Sequence, residues 1–308
     1  MFFYNMITEN NQKPILLTGA STGIGRKTLE LLTKKGVEVY AGARKKEDIE
    51  ELNSLENVTA LKLDVTKTSE IQNAFEQIKT FKKGLYGIVN NAGIATVGPI
   101  FTHSIEGVKE MFDVNLFGIH RVTTAMLPFL FESKGRIVNI SSISGILTGP
   151  NLGLYSVTKH AVEAYSDALN LSLENAGIKV SMIEPGNFKS EIGKNMYARR
   201  LEEKKEFRIF MTDEQREMQK EIMKKHFAGP DDDPEPDAVA EAISDALYSK
   251  NPKPRYLVTG NQAEARWVVK RMFYELKSLN ENHEYSYSRD ELVALLDQVL
   301  KEKEFSYA

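Results

Sequence analysis

Short apolar segments alternate with amphipathic segments along most of this chain, and this alternation restricts the possible folds more than any other feature. The apolar segments are brief, rich in β-branched residues and bounded by turn residues: KPILLTG, GVEVYAG, NVTALKLD, GLYGIVNN, GRIVNISS and GIKVSMIEPG. Intervening segments such as IGRKTLELLTKKG repeat apolar residues every three or four positions, which is typical of helices. With RYLVTG at residues 255–260 as an edge strand, the pattern predicts an α/β fold, a doubly wound parallel sheet of about seven strands with helices on both faces.

Residues 187–236 interrupt this alternation. The segment is highly charged, ends in the loop and helix-start signal GPDDDPEP, and carries the apolar residues Phe188, Met196, Phe207, Phe210, Met211, Met218, Met223 and Phe227. Because it follows the sixth strand at the edge where such sheets bind ligands, we interpret it as a helical substrate lid, with ordinary surface helices as the alternative. The expected organisation is a flexible tail over residues 1–12, one domain over residues 13–260 that includes the lid, and a C-terminal helical extension over residues 261–308.

The composition argues against several kinds of protein. The 308 residues include no cysteine, and the five histidines show no metal-ligand spacing, so disulfides, thiolate chemistry and a metal site are not expected. A net charge of -3 provides no basic surface for nucleic acid, and no apolar run approaches the roughly 18 residues of a membrane span. We therefore expect a cytoplasmic protein without an integral membrane segment, and the absence of cysteine suits such a reducing compartment.

The sequence TGASTGIG at residues 18–25 joins the first strand to a helix. Glycine permits a tight turn and a close backbone approach to a pyrophosphate, and the helix that follows offers free N–H groups. The spacing of Gly19, Gly23 and Gly25 is not GxGxxG, so a simple tight turn is the alternative. Its place at the first crossover favours a dinucleotide phosphate site.

The end of the second strand indicates which dinucleotide is bound. An acidic residue there would bind the ribose 2′-hydroxyl of NAD, whereas arginine accommodates the 2′-phosphate of NADP. The chain has AGARKKED, with Ala43 where the acid would stand and Arg44 beside it. NADP (NADPH) is favoured and NAD remains possible, because RKKED is also a plausible solvated helix start.

Tyr155 and Lys159 lie four positions apart in YSVTK, which places them on one face of a helix. A free tyrosine has a pKa near 10, too high for a base at neutral pH. A cation about 4 Å away contributes roughly 4 kcal/mol at an effective dielectric constant of about 20, enough to lower that pKa by about three units. The pair is therefore a candidate for proton transfer in a sheltered site. A half-buried helix residue beside a surface lysine is the alternative.

Six motifs occur in order on the predicted elements: TGASTGIG, NNAG at residues 90–93, the asparagine of MFDVNLFG, the serines of NISSISG, YSVTK, and PGNFKS at residues 185–190. Together they resemble the short-chain dehydrogenase/reductase family, over residues 13–260. The resemblance implies a Rossmann fold and NAD(P)-dependent interconversion of a ketone or aldehyde and an alcohol. The strings VEVYAGARK and LKLDVTK are most similar to the hydroxysteroid and retinol dehydrogenase branch.

The resemblance also implies residue roles. Tyr155 would be the general acid/base, Lys159 its activator and a ribose ligand, and Ser142 the group that orients the substrate oxygen. Asn115 would hold a water linked to the lysine, Asp64 would contact the adenine, Asn90 the adenine ribose side, and Ser190, where the family usually has threonine, the nicotinamide amide. The complete implied cofactor set is Gly19, Ser21, Thr22, Gly23, Ile24, Gly25, Arg44, Asp64, Val65, Asn90, Ala92, Gly93, Tyr155, Lys159, Pro185, Gly186, Phe188 and Ser190.

Several of these residues also have a purely structural interpretation. Ser142 or its neighbours Ser141 and Ser144 would then only cap backbone groups near a strand end. Asn115 would serve only as a helix hydrogen-bonding residue. Asn90, Asn91 and Gly93 would only form the turn after the fourth strand.

The residues expected to face a substrate are all apolar: Ile94, Val97, Ile143, Leu147, Leu152 and Phe188. No arginine or histidine among them would bind a carboxylate, so we expect a small-molecule carbonyl/alcohol pair that is lipophilic or neutral. The alternatives are a 3-oxoacyl-carrier reductase and a non-catalytic NADPH-binding sensor or scaffold. The resemblance further implies a homodimer or homotetramer built through the helices at residues 104–131 and 153–175.

Overall fold

The computed structural model describes residues 13–202 and 233–302, together with positions 212, 214, 217, 218 and 221. The chain divides into two compact units after Ala265. The predicted tail at residues 1–12 lies outside the described residues. Residues 203–211 and 222–232 of the predicted lid lie outside them as well.

The first unit contains a seven-stranded sheet, as the alternation of apolar segments predicts. The strands are β1 (Ile15–Thr18), β2 (Val39–Ala43), β3 (Val58–Lys62), β4 (Gly87–Asn90), β5 (Arg136–Ile140), β6 (Lys179–Pro185) and β7 (Arg255–Val258). They pair in the order β3-β2-β1-β4-β5-β6-β7, and every pair is parallel. The doubly wound parallel sheet is therefore confirmed, with RYLV at its edge.

Helices follow each strand, as parallel crossovers require. They are α1 (Gly23–Lys34), α2 (Lys46–Asn53), α3 (Thr68–Phe81), α4 (Ile105–Phe112), α5 (Gly118–Ser133), α6 (Gly153–Leu173), α7 (Ile192–Glu202), α8 (Asp237–Tyr248), α9 (Gln262–Asn280) and α10 (Arg289–Val299). A π-helical turn, Asp113–Phe117, joins α4 to α5.

Both faces of the sheet are buried because successive strand residues point to opposite sides. Leu17 and Val138 belong to the core cluster that contains side chains of α1 and α8. Leu16 and Ile137 belong to a second cluster with side chains of α3 and α5. This two-sided burial explains why the strands read as near-continuous apolar runs, and it leaves the carboxyl edge of the sheet for a site.

One continuous helical stretch, Ile105–Ser133, is long and apolar enough to cross a membrane when judged by length and composition. A core helix of a water-soluble domain meets the same criteria, so this is weak evidence for a span. Val122, Met126 and Leu130 are fully buried and pack in the second core cluster beside the sheet. Their burial accounts for the apolar character of the stretch.

The second unit begins within α9 and includes α10. Asn280 and Tyr287 exchange hydrogen bonds between side-chain amide and backbone, both at 2.8 Å, which close the connection between the two helices. Ser288 and Glu291 form a capping box at the start of α10. These local bonds stabilise the connection between α9 and α10 and the start of α10.

Candidate active site

Three glycines shape the loop between β1 and α1. Gly19 and Gly23 adopt φ values of +65° and +54°, a region that residues with side chains rarely enter. A Cβ atom on Gly25 would lie 2.1 Å from the carbonyl oxygen of Gly19 and 2.6 Å from Nδ2 of Asn91, so the backbone itself occupies that space. Thr22 makes no side-chain capping bond at the start of α1. The first N–H groups of α1 can therefore receive an anion such as a phosphate.

Hydrogen bonds join the carboxyl ends of β1 and β4 beside this loop. The hydroxyl oxygen of Thr18 accepts from the backbone amides of Asn91 and Ala92, both at 3.0 Å. The side-chain amide of Asn91 donates to the carbonyl oxygens of Thr18 at 3.0 Å and Gly19 at 2.9 Å. Because β1 pairs with both β2 and β4, the crevice between β1 and β4 is the switch point where ligands bind in such sheets.

Arg44 and Asp64 come together at the ends of β2 and β3. Burial alone would raise the pKa of Asp64, but hydrogen bonds from Thr66 and the positive charges of Arg44 and Lys67 lower it. Oδ1 of Asp64 accepts from the amide of Thr66 at 2.9 Å and from its hydroxyl at 2.7 Å. The side chain of Arg44 is exposed. The two residues predicted at the adenosine side therefore form one charged surface beyond the glycine loop.

Ser142, Tyr155 and Lys159 lie together at the carboxyl edge of β5 and the start of α6. Burial raises the pKa of Tyr155 to about 12, and a hydrogen bond with Ser142 opposes this rise. Nζ of Lys159 donates to the carbonyl oxygen of Ile140 at 2.8 Å and lies 5.6 Å from the centroid of the Tyr155 ring. Oγ of Ser142 also accepts from the amide of Ser144 at 3.1 Å, so part of its role is to cap a turn.

The protonation of Tyr155 differs from the sequence-based expectation. We expected Lys159 to lower the pKa of Tyr155 by about three units, and this was wrong, because burial raises that pKa. The ammonium group donates to the Ile140 carbonyl, and burial also lowers the pKa of Lys159 itself to about 8 against the attraction of Glu163. At neutral pH, Tyr155 is therefore protonated and Lys159 is predominantly charged.

Asn115 lies in the π-helical turn and is almost fully buried. Its Oδ1 accepts from the amide of Ile94 at 2.8 Å, and its Nδ2 donates to the Ile94 carbonyl at 2.9 Å and to the Thr158 hydroxyl at 3.0 Å. Both N–H groups are therefore used within the protein. Asn115 therefore links the segment after β4 to α6 by hydrogen bonds. Gly93, the residue before Ile94, lies close to Lys159, because a Cβ there would lie 3.9 Å from Nζ of Lys159.

Two predicted cofactor residues direct their side chains into the interior. Nδ2 of Asn90 donates to Oδ1 of Asn139 at 2.9 Å and to the Thr123 hydroxyl at 3.1 Å. Phe188 packs in the core cluster on the α1 side of the sheet, although we expected it at the pocket. The structure therefore does not bring these two side chains to the site, because each completes buried packing across the sheet.

Other predicted cofactor residues lie at the glycine loop or in the core beside the sheet. Ser21 is half-buried, Ile24 packs on the core cluster of the α1 face, and Val65 packs against the backbone of Gly118. Ser190 faces the loop, because a Cβ on Gly23 would lie 3.2 Å from its Cβ. Ser190 also lines a cleft of about 420 Å³ beside the start of α1.

Glu264 is a buried residue near the site that the sequence did not reveal. Its carboxylate accepts from Nδ2 of Asn187 at 2.7 Å and from the amide of Gly260 at 3.3 Å. A Cβ on Gly186 would lie 2.2 Å from its Oε2, so the PGN turn after β6 wraps closely around this carboxylate. A glutamate two residues into a predicted helix resembles any first-turn acid, so no pattern signalled this contact.

Helix α7, the described start of the predicted lid, contacts the tyrosine side of the site. Met196 is buried in a cluster with Ala95 and Val97, and Leu152 and Tyr155 pack against that cluster. Arg199 forms an ion pair with Glu110 of α4. These contacts place apolar side chains next to Tyr155, among them Val97 and Leu152, which we expected to face a substrate.

The sequence of this chain is similar to those of known proteins. The short chain dehydrogenase family model matches residues 13–201. The chain is 34% identical over 251 residues to the uncharacterized oxidoreductase YbbO of Escherichia coli (strain K12), covering 80% of this chain and 86% of that protein. It is 40% identical over 186 residues to mitochondrial D-beta-hydroxybutyrate dehydrogenase of Mus musculus, covering 57% of this chain and 54% of that protein.

A crystal structure of a short-chain dehydrogenase from Streptomyces avermitilis has the same fold. It aligns with a TM-score of 0.71 at 26% sequence identity, covering 87% of this chain and 96% of that chain. The fold, the family model and the relatives therefore agree with the six motifs. This chain belongs to the short-chain dehydrogenase/reductase family and is an oxidoreductase of that type.

Proposed function

We propose that the protein is an NADP(H)-dependent oxidoreductase that interconverts a ketone or aldehyde and an alcohol, with Tyr155 as general acid/base. The observation that carries this proposal is the convergence of Ser142, Tyr155 and Lys159 at the sheet edge beside the β1–β4 crevice. Proton transfer to an oxygen and charge stabilisation there are the two tasks that carbonyl reduction requires of a protein.

The residues at the crevice fit a nicotinamide dinucleotide. A Cβ at Gly25 would collide with backbone, so the loop is built for close approach, and α1 presents N–H groups that the side chain of Thr22 does not cap. Gly19 to Gly25 would hold the pyrophosphate, Arg44 and Asp64 the adenosine, and Lys159 the second ribose. When bound, the cofactor supplies or accepts the hydride.

The protonation states suit proton donation from Tyr155 to a substrate oxygen. Because the pKa of Tyr155 is raised to about 12, its hydroxyl carries a proton at neutral pH and can donate it to a substrate oxygen. Ser142 donates a hydrogen bond to the same developing oxyanion. Lys159, charged at neutral pH, stabilises the tyrosinate that remains after the proton has left.

Arg44 supports NADP over NAD. Arg44 is exposed at the end of β2, next to Asp64, and the residue before it is Ala43 rather than an acidic residue. The ratio of kcat/KM for NADPH over NADH should exceed one and should fall about tenfold in Arg44→Ala, the loss of one charged contact. A wild-type enzyme that prefers NADH would refute this assignment.

Apolar side chains near Tyr155 support a lipophilic or neutral substrate, as Ile94, Val97, Leu152 and Met196 surround it. The mouse relative is named for a hydroxy acid, D-beta-hydroxybutyrate, so substrate charge has to be tested directly. A panel of steroid, retinoid, acyl and short-chain carbonyls, with a hydroxy-acid pair included, discriminates these classes by loss of NADPH absorbance. Faster turnover of the acid would contradict the neutral-substrate proposal.

Tyr155→Phe tests the mechanism itself. The variant should keep NADPH binding, measured by fluorescence titration, and lose about 10²- to 10⁴-fold in kcat, because it removes the proton donor. Tyr165→Phe on the same helix, whose hydroxyl bonds His120 at 3.3 Å, is the matched control and should remain active. Near-normal turnover by Tyr155→Phe would end the proposal.

The presence of both Tyr155 and Lys159 favours an enzyme over a non-catalytic NADPH sensor. Tight NADPH binding without turnover of any carbonyl in the panel would instead support the sensor. A 3-oxoacyl-carrier reductase would be identified by preferential turnover of the acyl substrates.

The proposed homodimer or homotetramer rests on exposed apolar residues along α5 and α6, among them Phe131, Val157 and Leu171. Light scattering during size exclusion measures the number of subunits, and a monomer would contradict this proposal. The proposed cytoplasmic location is tested by fractionation of cells.

A further inference from the structure

Several charged side chains, among them two buried carboxyl groups, lie near Lys159. Along α6, Lys159, Glu163 and Asp167 follow Tyr155 at intervals of four, so they share one face of the helix. The side chain of Glu163 is only 8% exposed, and that of Glu184 on β6 is only 4% exposed. Carboxyl groups are rarely buried to this degree unless each is paired.

Arg255 of β7 is the cation that faces both buried carboxyl groups. Its Nη1 bonds Glu163 and bonds Glu184 at 2.9 Å, and its Nη2 bonds the half-exposed Asp167 at 2.6 Å. The turn Ile143–Gly145 also packs against Glu163, because a Cβ on Gly145 would lie 2.6 Å from Oε1 of Glu163. None of the three residues of this turn is charged. Among the residues that the structure describes, the charged groups around the pair are Arg255, the Asp167 that bonds it, and Lys159.

Three carboxyl groups thus meet two cations, with Glu163, Glu184 and Lys159 buried and with Asp167 and Arg255 partly exposed. Oε1 of Glu163 is buried and has no hydrogen-bond partner among the described residues. Oε2 of Glu163 and Oε1 of Glu184 bond the same nitrogen, Nη1 of Arg255, which brings the two carboxyl groups close together, and two ionised carboxylates at such a distance repel each other. One proton held by the pair balances the cluster, with two negative charges against two positive charges.

We propose that Glu163 and Glu184 share one proton at neutral pH and act as a positioning pair that sets the charge of Lys159. Burial and the adjacent Glu163 raise the pKa of Glu184, and Arg255 opposes this only in part. The charge of Glu163 favours the ammonium form of Lys159, whose pKa burial lowers to about 8. When the pair loses its proton at higher pH, the additional negative charge holds Lys159 in its charged form. The effect on catalysis rests on the proposed function, whereas the shared proton does not.

Glu184→Gln is the first test, because glutamine keeps the shape and hydrogen bonds of the side chain but cannot ionise. The alkaline limb of kcat/KM for carbonyl reduction should move about one pH unit lower, a roughly tenfold loss on that side of the profile. Glu163→Gln removes the charge nearest Lys159 and should move the limb in the same direction. Glu132→Gln, which removes an exposed glutamate that pairs with Lys13 outside this cluster, is the matched control and should leave the limb in place.

Infrared titration of the cofactor-free wild-type protein tests the shared proton without any turnover. We expect one carboxyl group to remain protonated up to about pH 7, well above the ordinary glutamate pKa of about 4.3, and its band to vanish in Glu184→Gln. Carboxyl groups that are all ionised below about pH 7 would overturn the proposal even if the variants fail to fold. An unchanged alkaline limb in a folded Glu184→Gln would overturn the action on Lys159. Activity in Tyr155→Phe would refute the proposed function alone.

Discussion

Lys159→Met should make the protein more stable while it abolishes turnover. The lysine side chain is 5% exposed, and burial lowers its pKa from 10.5 to about 8 even though Glu163 attracts it. At roughly 1.4 kcal/mol for each pH unit, this fall means that the folded protein disfavours the ammonium group by about 3 kcal/mol. Methionine has a similar length and no charge to bury.

The expected gain is smaller than that figure, because the substitution also removes a hydrogen bond. Nζ of Lys159 donates to the carbonyl oxygen of Ile140 at 2.8 Å, and such a bond contributes about 1 kcal/mol. The free energy of unfolding of Lys159→Met should therefore exceed that of wild type by about 2 kcal/mol at pH 7. Under the proposed function, Lys159 offsets this cost by stabilising charge at Tyr155.

The sign of the pH dependence follows from proton binding. Between about pH 8 and pH 10.5, the unfolded wild-type protein holds a proton on this lysine that the folded protein has released, so wild-type stability rises with pH. The stability contributed by the neutral lysine is present above 10.5 and is lost as pH falls through 8. The advantage of Lys159→Met should accordingly shrink to near zero at about pH 10.

Urea unfolding followed by circular dichroism at these two pH values measures the difference. Lys34→Met, at the exposed end of α1, is the control and should change stability by less than about 0.5 kcal/mol. A Lys159→Met protein that is less stable than wild type at pH 7, or a difference that does not change with pH, would refute the reasoning.

Two further substitutions test the frame of the site. Gly25→Ala should abolish NADPH binding and lower the free energy of unfolding by about 2 kcal/mol or more, because its Cβ would lie 2.1 Å from a carbonyl oxygen. Gly149→Ala is the control, because a Cβ there has nothing within 4 Å. It should change neither NADPH binding by fluorescence nor stability by urea unfolding. Asn115→Ala should cost about 2 to 3 kcal/mol in urea unfolding, because it leaves the N–H and C=O of Ile94 without partners, and a loss below about 1 kcal/mol would show that water replaces the amide.

The strands and the glycine loop were predictable because their causes are local. A strand buried on both faces needs a short run of β-branched residues, so the segments around Leu17 and Val138 read as strands without tertiary information. The backbone at Gly19 and Gly25 similarly demands glycine for reasons that lie within the loop and the strand beside it. The six family motifs also occur along the chain in the order of the predicted strands and helices.

Interactions between distant segments were not predictable. Glu163, Glu184 and Arg255 belong to three elements and look like ordinary surface charges in the sequence, yet β6, β7 and α6 bring them together in the interior. Asn90 was expected at the cofactor but bonds Asn139 on the neighbouring strand. The hydrogen-bond partners of such groups depend on packing, which periodicity does not report.

The doubly wound sheet, the glycine loop and the tyrosine–lysine pair could be predicted before the fold was known, because patterning and turn chemistry act over a few residues. The charge state of that pair depends instead on the packed fold. Burial raises the pKa of Tyr155 and lowers that of Lys159, and both shifts depend on how much water the surrounding elements exclude. The spacing of four residues therefore identified the partners, and the packing around them determined that the tyrosine carries the proton.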